Sequence, residues 1–330
     1  MSGETGWQPG PRDAITDVKG IRVGHWTDRR GATGCTVIRC ETATAAAVDA
    51  RGGAPGTRET DVLAGANLVR TCHGLIFAGG SAFGLAAATG VMRWFREQGV
   101  GFGTKMAKVP IVPAAVIYDL GAGSETAFPG EDAGYAAASR AAGGRVAEGS
   151  VGAGTGATVA KLLGPEGRIK GGIGTGSLVG PRGIVVGALA VTNAVGSIHD
   201  PDTGALIAGP RDADGRMAGL PEVLERRTAQ TDALLEPTNT TLVAVATNAK
   251  LEHHLLQRVA YQAHDGMARV IVPVHTFADG DIAFALSMGS LEVRETDTLT
   301  IGAMAARAAE IAILRSVQRA KPLAGIPALG

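Results

Sequence analysis

The stretch Asn239-Thr-Thr-Leu-Val-Ala-Val-Ala-Thr-Asn-Ala249 constrains the fold more than any other part of the chain. Its centre, residues 242–247, is a continuous run of apolar and β-branched residues, which predicts a strand that is buried on both faces. A helical pattern follows, with apolar residues at every fourth position: Leu251, Leu255, Val259 and Ala263. A buried strand with a helix beside it indicates a core built from both kinds of element.

Upstream of this stretch, short β-branched runs alternate with alanine-rich runs of helical periodicity, which is typical of a mixed α/β or α+β protein. The first helix is expected over 81–98, because its apolar residues share one face and Gly99 stands at a helix-ending position. Further helices are expected over 131–142 and from about Thr298, and strands over 21–23, 36–38, 44–48, 74–78, 112–118 and 184–191.

Two segments beside the buried stretch differ from this regular pattern. Between His199 and Thr238, aspartates, arginines, prolines and turn clusters replace the periodic runs, which predicts a long, mobile connector over about 199–238. Farther along, HTFADGD leads into the apolar run IAFALSM, and the Asp279-Gly280 pair predicts a β-hairpin turn.

The charge balance limits the classes of partner. The chain has 330 residues, with 31 lysines and arginines against 31 aspartates and glutamates, so its net charge is zero. This balance favours neither nucleic acid nor an anionic membrane, and a small neutral or zwitterionic ligand is the better expectation. The apolar segment 71–92 contains His73, Ser81 and several glycines, so we interpret it as a buried strand and helix rather than a membrane span.

The three cysteines, Cys35, Cys40 and Cys72, are odd in number and lack CxxC spacing, which argues against a disulfide framework and a structural zinc site. The first residues have neither a basic start nor an apolar core, so no secretory signal is expected. Together these features predict a protein of the reducing cytoplasm.

Several familiar motifs are absent. The glycine-rich tracts at 79–84, 152–157 and 171–177 match neither a nucleophile elbow, nor a dinucleotide fingerprint, nor a phosphate-binding loop. Four histidines form no HExxH zinc-binding pattern, so we expect them on helix surfaces: His253, His254, His264 and His275. The sequence therefore requires no cofactor and no metal.

The junction 238–242 joins the polar connector to the buried strand, with Thr240 and Thr241 at the join. If a threonine there attacked the carbonyl before it, the chain would be cut and a new N-terminal threonine exposed. Its α-amine could then take the proton from its own hydroxyl, so that one residue would be both nucleophile and base. The alternative is that these threonines merely begin a strand, as β-branched residues commonly do.

Four further sites carry candidate chemistry. Asp279 and Asp281 are two residues apart, so in an extended segment their carboxylates point to one side and can relay protons, unless they only form a turn. Asn193 ends an apolar strand and could donate to an oxyanion, or simply end the strand. Lys161 could place a cation near the oxyanion, or it could be solvated. Tyr118 lies at a strand end, where it could take part in the site or have its ring packed in the interior.

The order of these motifs resembles that of the DmpA-type aminopeptidases, or L-aminopeptidase/D-esterases, and especially the related 6-aminohexanoate-oligomer (nylon-oligomer) hydrolases. The resemblance covers roughly residues 15–320. Its landmarks are ITDVKGIRVGHWTD (15–28), GCTVI (34–38), AAVDARGGAPGTRETDVL (46–63), GLIFAGGSAFGLAAATGV (74–91), VPAAVIYDLG (112–121), GAGTGATVAK (152–161), ALAVTNAVGSI (188–198), NTTLVAVATNA (239–249) and HTFADGDIAFAL (275–286).

The resemblance implies an N-terminal-nucleophile-type hydrolase with a layered αββα sandwich, in the superfamily of ornithine acetyltransferase. It implies a cut between Asn239 and Thr240, which would leave fragments 1–239 and 240–330 associated, and a tetramer of such cleaved pairs. The residue roles that it implies are Thr240 as nucleophile, Asp279 and Asp281 as its supporting chain, Asn193 at the oxyanion, and Lys161 and Tyr118 for charge and substrate positioning.

The founding aminopeptidases use a serine nucleophile with a serine and a glutamate where this chain has Asp279 and Asp281, so the DGD pattern sides with the nylon-oligomer branch. Short peptides or amides with a free amino terminus, including β- or D-residues, are the expected substrates. The alternatives are a nylon-oligomer hydrolase, an acyltransferase like ornithine acetyltransferase, and an uncleaved, inactive binding protein of the same fold.

Overall fold

The structure is a computed structural model that describes residues 6–63, 67–212, 214–230 and 238–329. The strands within these ranges are β1 Gln8–Pro9, β2 Ile21–Asp28, β3 Thr33–Ala50, β4 Thr57–Arg58, β5 Thr71–Ala78, β6 Phe102–Gly103, β7 Lys108–Val109, β8 Ala114–Val116, β9 Thr158–Val159, β10 Ile169–Lys170, β11 Gly172–Val179, β12 Val185–Asn193, β13 Ser197–His199, β14 Leu206–Ala208, β15 Thr240–Ala249, β16 Ile271–Val272 and β17 Ile282–Leu291. The α-helices are α1 Ala87–Glu97, α2 Glu131–Ser139, α3 Leu220–Gln230, α4 His253–Val270 and α5 Asp297–Gln318.

The apolar run after Asn239 forms β15, which lies in the interior of the main sheet. The strand order of that sheet is β1-β11-β12-β15-β17-β3-β5-β8-β4, and β2 pairs beside β3. Strand β15 is antiparallel to β12 and parallel to β17. Its continuous apolar sequence follows from this position, because neighbouring layers cover both of its faces.

The long strand β3 joins the two layers of this sheet. Its residues 33–40 pair with β2, whereas residues 45–50 pair with β17. One apolar cluster lies between the two layers and includes Phe77 of β5 and Phe284 of β17, whose ring centroids are 5.9 Å apart. Other clusters pack α4 and α5 on one outer face and α1 and α2 on the other. The α+β class and the αββα layer order are therefore confirmed.

Most of the expected elements are present with changed boundaries. Segments 36–38 and 44–48 belong to the single strand β3, and the helix expected over 81–98 begins as a 3₁₀ turn at 81–86 that continues into α1. Segment 71–92 forms a strand and a helix, as expected, and none of the helices in the described ranges has the length and apolar character that a membrane crossing needs. The three cysteines are free and buried.

Two expectations are wrong. No hairpin leads into β17, because β15 and β3 already occupy both of its edges, and β16 pairs instead with β13. His264 is not on a helix surface but fully buried in α4, and His275 lies in the loop before β17. The expected connector 199–238 contains β14 and α3, whose Val223 joins an apolar cluster with Leu162 and Val195. Its residues 213 and 231–237 lie outside the described ranges, and its mobility stays a prediction.

Candidate active site

Strands β15 and β17 bring the candidate nucleophile and one aspartate together. Because the two strands are parallel, their first residues lie at the same edge of the sheet, and Leu242 pairs with Ile282. The residues just before this pair are therefore neighbours as well. The backbone N–H of Thr241 donates to Asp281 Oδ1 at 2.6 Å.

The end of β12 brings Asn193 to the same edge. This strand is antiparallel to β15, and its last residue, Asn193, pairs directly with Thr240. Asn193, Thr240 and Asp281 are at most 5% exposed. The sequence separates Asn193 from Thr240 by the whole connector, yet strand pairing makes them adjacent.

The peptide bond between Asn239 and Thr240 is continuous in the structure, and its carbonyl oxygen receives two hydrogen bonds. The Thr240 hydroxyl donates to Asn239 O at 2.5 Å, and the Gly280 N–H donates to the same oxygen at 2.8 Å. Donors on a carbonyl oxygen stabilise the negative charge that forms there when a nucleophile attacks the carbon. The site thus holds a hydroxyl and a polarised carbonyl in immediate contact.

Asp279 lies on the other side of Gly280 and is buried. Its Oδ2 accepts hydrogen bonds from the Thr276 hydroxyl at 2.5 Å and from the Thr276 N–H at 3.1 Å, and its Oδ1 is 3.5 Å from the Val195 N–H. Burial, and then the nearby charge of Asp281, raises the pKa of the Asp279 carboxyl above its ordinary value. Of the two aspartates, Asp279 is therefore the better candidate to hold a proton.

Asp281 has donors on both of its oxygens. Besides the bond from Thr241, its Oδ2 lies 3.0 Å from the backbone N–H of His275 and 2.8 Å from His275 Nδ1. Two backbone N–H groups and one imidazole nitrogen therefore surround this carboxyl group.

Lys161 contacts Asn193 through its ammonium group. Lys161 Nζ donates to the Asn193 backbone oxygen at 2.8 Å and to Asn193 Oδ1 at 3.0 Å, and the Thr158 N–H donates to the same Oδ1 at 3.0 Å. Burial lowers the pKa of Lys161 to about 7, and the nearby Asp279 carboxylate partly offsets this effect. The ammonium is thus poised to lose its charge near neutral pH.

The Asn193 amide nitrogen also fixes two backbone carbonyls. Asn193 Nδ2 donates to Tyr118 O at 3.1 Å and to Thr238 O at 3.2 Å. Tyr118 therefore reaches the site through its backbone, while the residue is 37% exposed. The Tyr118 ring is therefore not packed in the interior, which was the alternative considered for this residue.

Two buried charged residues that carry no local sequence signal, Asp119 and Lys170, influence each other electrostatically close to the site. Asp119 Oδ1 accepts the Gly80 N–H at 2.6 Å, and Lys170 Nζ donates to the carbonyls of Thr155 and Ala157, each at 2.7 Å. Burial raises the pKa of Asp119 to about 6 and lowers that of Lys170 to about 7. Asp119 thus binds the glycine-rich tract 79–84, and Lys170 binds the tract 152–157.

The structure brings together the six side chains or backbones singled out in the sequence, namely Tyr118, Lys161, Asn193, Thr240, Asp279 and Asp281. Two further groups at the site, the Gly280 N–H and the His275 side chain, are not among these six candidates. A backbone donor carries no residue signature, and the only hint was the glycine between two aspartates. In the described ranges, no three His, Cys, Asp or Glu side chains cluster as metal ligands.

Two solved structures share the fold. The β-aminopeptidase of a Burkholderia species superposes with a TM-score of 0.71 at 24% identity, over 98% of this chain and 92% of that one. The L-aminopeptidase D-Ala-esterase/amidase of Ochrobactrum anthropi, described as a variant of the Ntn hydrolase fold, gives a TM-score of 0.72 at 22% identity, over 95% and 88%. At these identities the likeness is evidence of the fold alone.

Sequence comparison gives the family. An uncharacterized aminopeptidase of Mycobacterium tuberculosis is 43% identical, with 96% of each chain covered. A 6-aminohexanoate-oligomer endohydrolase of an Agromyces species is 32% identical over 91% of this chain and 82% of the relative. The model of peptidase family S58 matches residues 13–328. The resemblance inferred from the motifs is confirmed, and the chain is a hydrolase of peptide or amide bonds that belongs to peptidase family S58.

Proposed function

We propose that the chain cuts itself between Asn239 and Thr240 and that Thr240 then hydrolyses other amides as an N-terminal nucleophile. The observation that carries this proposal is the carbonyl of Asn239. Its oxygen accepts both the Thr240 hydroxyl at 2.5 Å and the Gly280 N–H at 2.8 Å. The contact keeps the Thr240 hydroxyl beside the carbonyl that it would attack, and the Gly280 N–H stays available to stabilise the oxyanion that the attack would form.

In the first reaction, Thr240 Oγ forms a bond to the carbonyl carbon of Asn239, and the C–N bond to Thr240 breaks. The hydroxyl proton passes to the departing nitrogen, which leaves an ester between the two residues. Water then hydrolyses this ester to the Asn239 carboxylate and the Thr240 hydroxyl with a free amine. Asp279, with its raised pKa, is the group that we assign to proton transfer near the departing nitrogen.

In the second reaction, the Thr240 amine takes the proton from the hydroxyl, which attacks the substrate carbonyl and forms an acyl-enzyme. We assign stabilisation of the oxyanion to Asn193 and Lys161, which contact each other through Lys161 Nζ and Asn193 Oδ1 at 3.0 Å. Loss of one such donor typically costs about 3 kcal/mol of transition-state stabilisation. Asp281 supports the start of β15 through the Thr241 N–H, and we assign substrate positioning to Tyr118.

The substrates that we propose are short peptides and amino-acid amides with a free amino terminus, including β- and D-residues. The name of the mycobacterial relative supports aminopeptidase activity, and that of the Agromyces relative supports 6-aminohexanoate oligomers as a second candidate. An acyltransferase would pass the acyl group to an amine instead of water. An uncleaved binding protein would do neither.

Denaturing electrophoresis with N-terminal sequencing tests the self-cleavage. We expect a fragment that begins TTLVAV, of about 9 kDa in proportion to 33.4 kDa for the whole chain. Thr240→Val should give one uncut band. Thr247→Val makes the same chemical change at the opposite end of β15 and should be cut normally. A cut that persists in Thr240→Val would point to an outside protease.

A substrate panel separates the candidate activities in the cleaved protein. It contains L-alanine, D-alanine and β-alanine p-nitroanilides, a linear 6-aminohexanoate dimer, and N-acetylornithine with glutamate as acceptor. Hydrolysis of the anilides supports the aminopeptidase, whereas acetyl transfer to glutamate supports the acyltransferase. A protein that is cut but turns over none of the five would contradict the proposed substrates and leave the cleavage proposal standing.

The proposal extends to the assembly and location. We propose a cytoplasmic tetramer of cleaved pairs, on the basis of the family resemblance. Light scattering of the purified protein at several concentrations measures the assembly, and a mass near four times 33.4 kDa is expected.

A further inference from the structure

His275 lies in the loop between β16 and β17 and is bound to Asp281 by two groups at once. Its Nδ1 is 2.8 Å from Asp281 Oδ2, and its backbone N–H donates to the same oxygen at 3.0 Å. The other carboxylate oxygen accepts the Thr241 N–H at 2.6 Å. Asp281 is therefore clamped between this loop and the first residues of β15, next to Thr240.

The ring of His275 is itself held in place by His264. The two ring centroids are 4.7 Å apart, with an interplanar angle of 74°. His264 is fully buried, its Nε2 is 3.0 Å from Asp49 O, and burial lowers its pKa to about 4. His264 is thus a neutral, packed support at neutral pH, and it orients the His275 ring toward Asp281.

The backbone at His275 also departs from ordinary geometry. Its φ is +54°, in the left-handed region that residues other than glycine seldom adopt. Such strained positions persist only where the surroundings hold them. Here the strain allows the N–H and Nδ1 of one residue to reach a single carboxylate oxygen.

We propose that His275 is a positioning residue, which holds Asp281 against the start of β15 so that Thr240 keeps its place for attack. This inference rests on the proposed function. In this role His275 carries a proton on Nδ1 and donates it to Asp281 Oδ2. His275 Nε2 is buried and has no hydrogen-bond partner in the described part of the chain, and an unprotonated nitrogen leaves no N–H group unpaired there.

Two variants separate the hydrogen bond from the backbone strain. His275→Asn and His275→Gly both tolerate a positive φ, but only asparagine keeps a side-chain donor close to the place of Nδ1. We expect His275→Gly to lower kcat by roughly 10- to 100-fold, as losses of orienting partners do, with KM changed less than about threefold. His275→Asn should stay within about fivefold of the natural protein, and the rate of self-cleavage should follow the same order.

The control is His254→Asn, because His254 is exposed on α4 and should give unchanged rates and melting temperature. Equal kcat values for His275→Gly and His275→Asn, whether both high or both low, would overturn the proposal. So would a defect in His275→Gly that is fully accounted for by a lower fraction of folded protein, measured by thermal unfolding.

A measurement without substrate keeps this test separate from that of the proposed function. Nitrogen-15 NMR of labelled histidine, assigned with His275→Asn, reports which ring nitrogen is protonated. A proton on Nδ1 supports the positioning role, and a ring protonated on Nε2 alone overturns it. A protein that neither cuts itself nor hydrolyses amides would instead refute the proposed function, and the spectrum would still decide where the His275 proton lies.

Discussion

The Asn193 side chain forms hydrogen bonds with four other residues of the site. Its Oδ1 accepts Lys161 and Thr158, and its Nδ2 donates to the carbonyls of Tyr118 and Thr238. We expect Asn193→Ala to lower kcat/KM by about 10²- to 10³-fold, because an oxyanion donor is lost. Steady-state kinetics on the cleaved protein measures this, with Asn248→Ala at the far end of β15 as the control. An Asn193→Ala protein with normal kinetics would remove Asn193 from the oxyanion site.

Lys161 gives the site a pH dependence with a definite sign. Burial lowers its pKa to about 7, so the cation is present below pH 7 and is lost as the pH rises through that value. In the proposed mechanism the Thr240 amine must be neutral. The rate should therefore rise as the pH increases through the ordinary pKa of such an amine, about 7.7 to 8.0. We expect Lys161→Met to lower the rate at pH 6 by about tenfold or more and to remove the falling alkaline limb. A limb that persists in Lys161→Met would assign that titration to another group.

The sequence indicated these residues because each ends or begins an apolar run, where a polar side chain is conspicuous. It gave no sign of Asp119 and Lys170, since nothing local links two charges that lie on separate elements. It placed His275 wrongly, because a histidine without a metal pattern is usually solvent-exposed. The roles of the six candidates remain predictions that the kinetics above test.

At the scale of elements, the parallel pairing of β15 with β17 creates the site, and Gly280 sits at its tightest point. A Cβ at Gly280 would lie 2.6 Å from Ala54 O and 2.9 Å from Thr240 Oγ1. We expect Gly280→Ala to slow self-cleavage by at least about tenfold, because the N–H donor and the hydroxyl are both displaced. The time course of fragment appearance on gels measures this.

The matched control is Gly143→Ala, since a Cβ at Gly143 would meet nothing within 4 Å. It should be cut at the natural rate. A Gly280→Ala protein that is cut as fast as Gly143→Ala would show that the Asn239 carbonyl does not depend on this donor.

The hairpin expected before β17 shows that local sequence patterns predict single elements but not which strands pair. Asp279-Gly280 has ordinary turn chemistry, and the sequence on both sides reads as strand. Whether two strands pair depends on which edges are free, and both edges of β17 are taken by β15 and β3. That information lies in residues far away along the chain, so the two aspartates form a loop at the site instead.

At the scale of the whole molecule, strands β15 and β17 of the proposed fragment 240–330 are enclosed by strands of the proposed fragment 1–239. Strand β15 pairs with β12 on one side, and β17 pairs with β3 on the other. We expect the two fragments to co-elute in gel filtration under native conditions and to separate only in denaturant, because separation must open the sheet along two edges. Elution of the small fragment alone from native protein would contradict this strand order.

The layer order of the molecule was expected only through the family resemblance. Periodicity predicted strands and helices but not their partners, since pairing β3 with β17 joins residues 45–50 to 282–287. Such distant pairings have no local signature. The two-layer sheet therefore required comparison with a known family, whereas the buried character of β15 followed from its own sequence.

The enclosure of β15 and β17 has a consequence for the life history of the protein. Before the proposed cut, every strand belongs to one polypeptide, so folding is a first-order event whose yield is independent of dilution. After the cut, recovery from denaturation would require two separate polypeptides to meet, so it would become second order and fail at low concentration. The fold would thus form in the uncut precursor, and the two cleaved fragments would not readily refold to it. The stability of the cleaved protein would then be kinetic and would depend on a slow rate of unfolding rather than on the folding equilibrium.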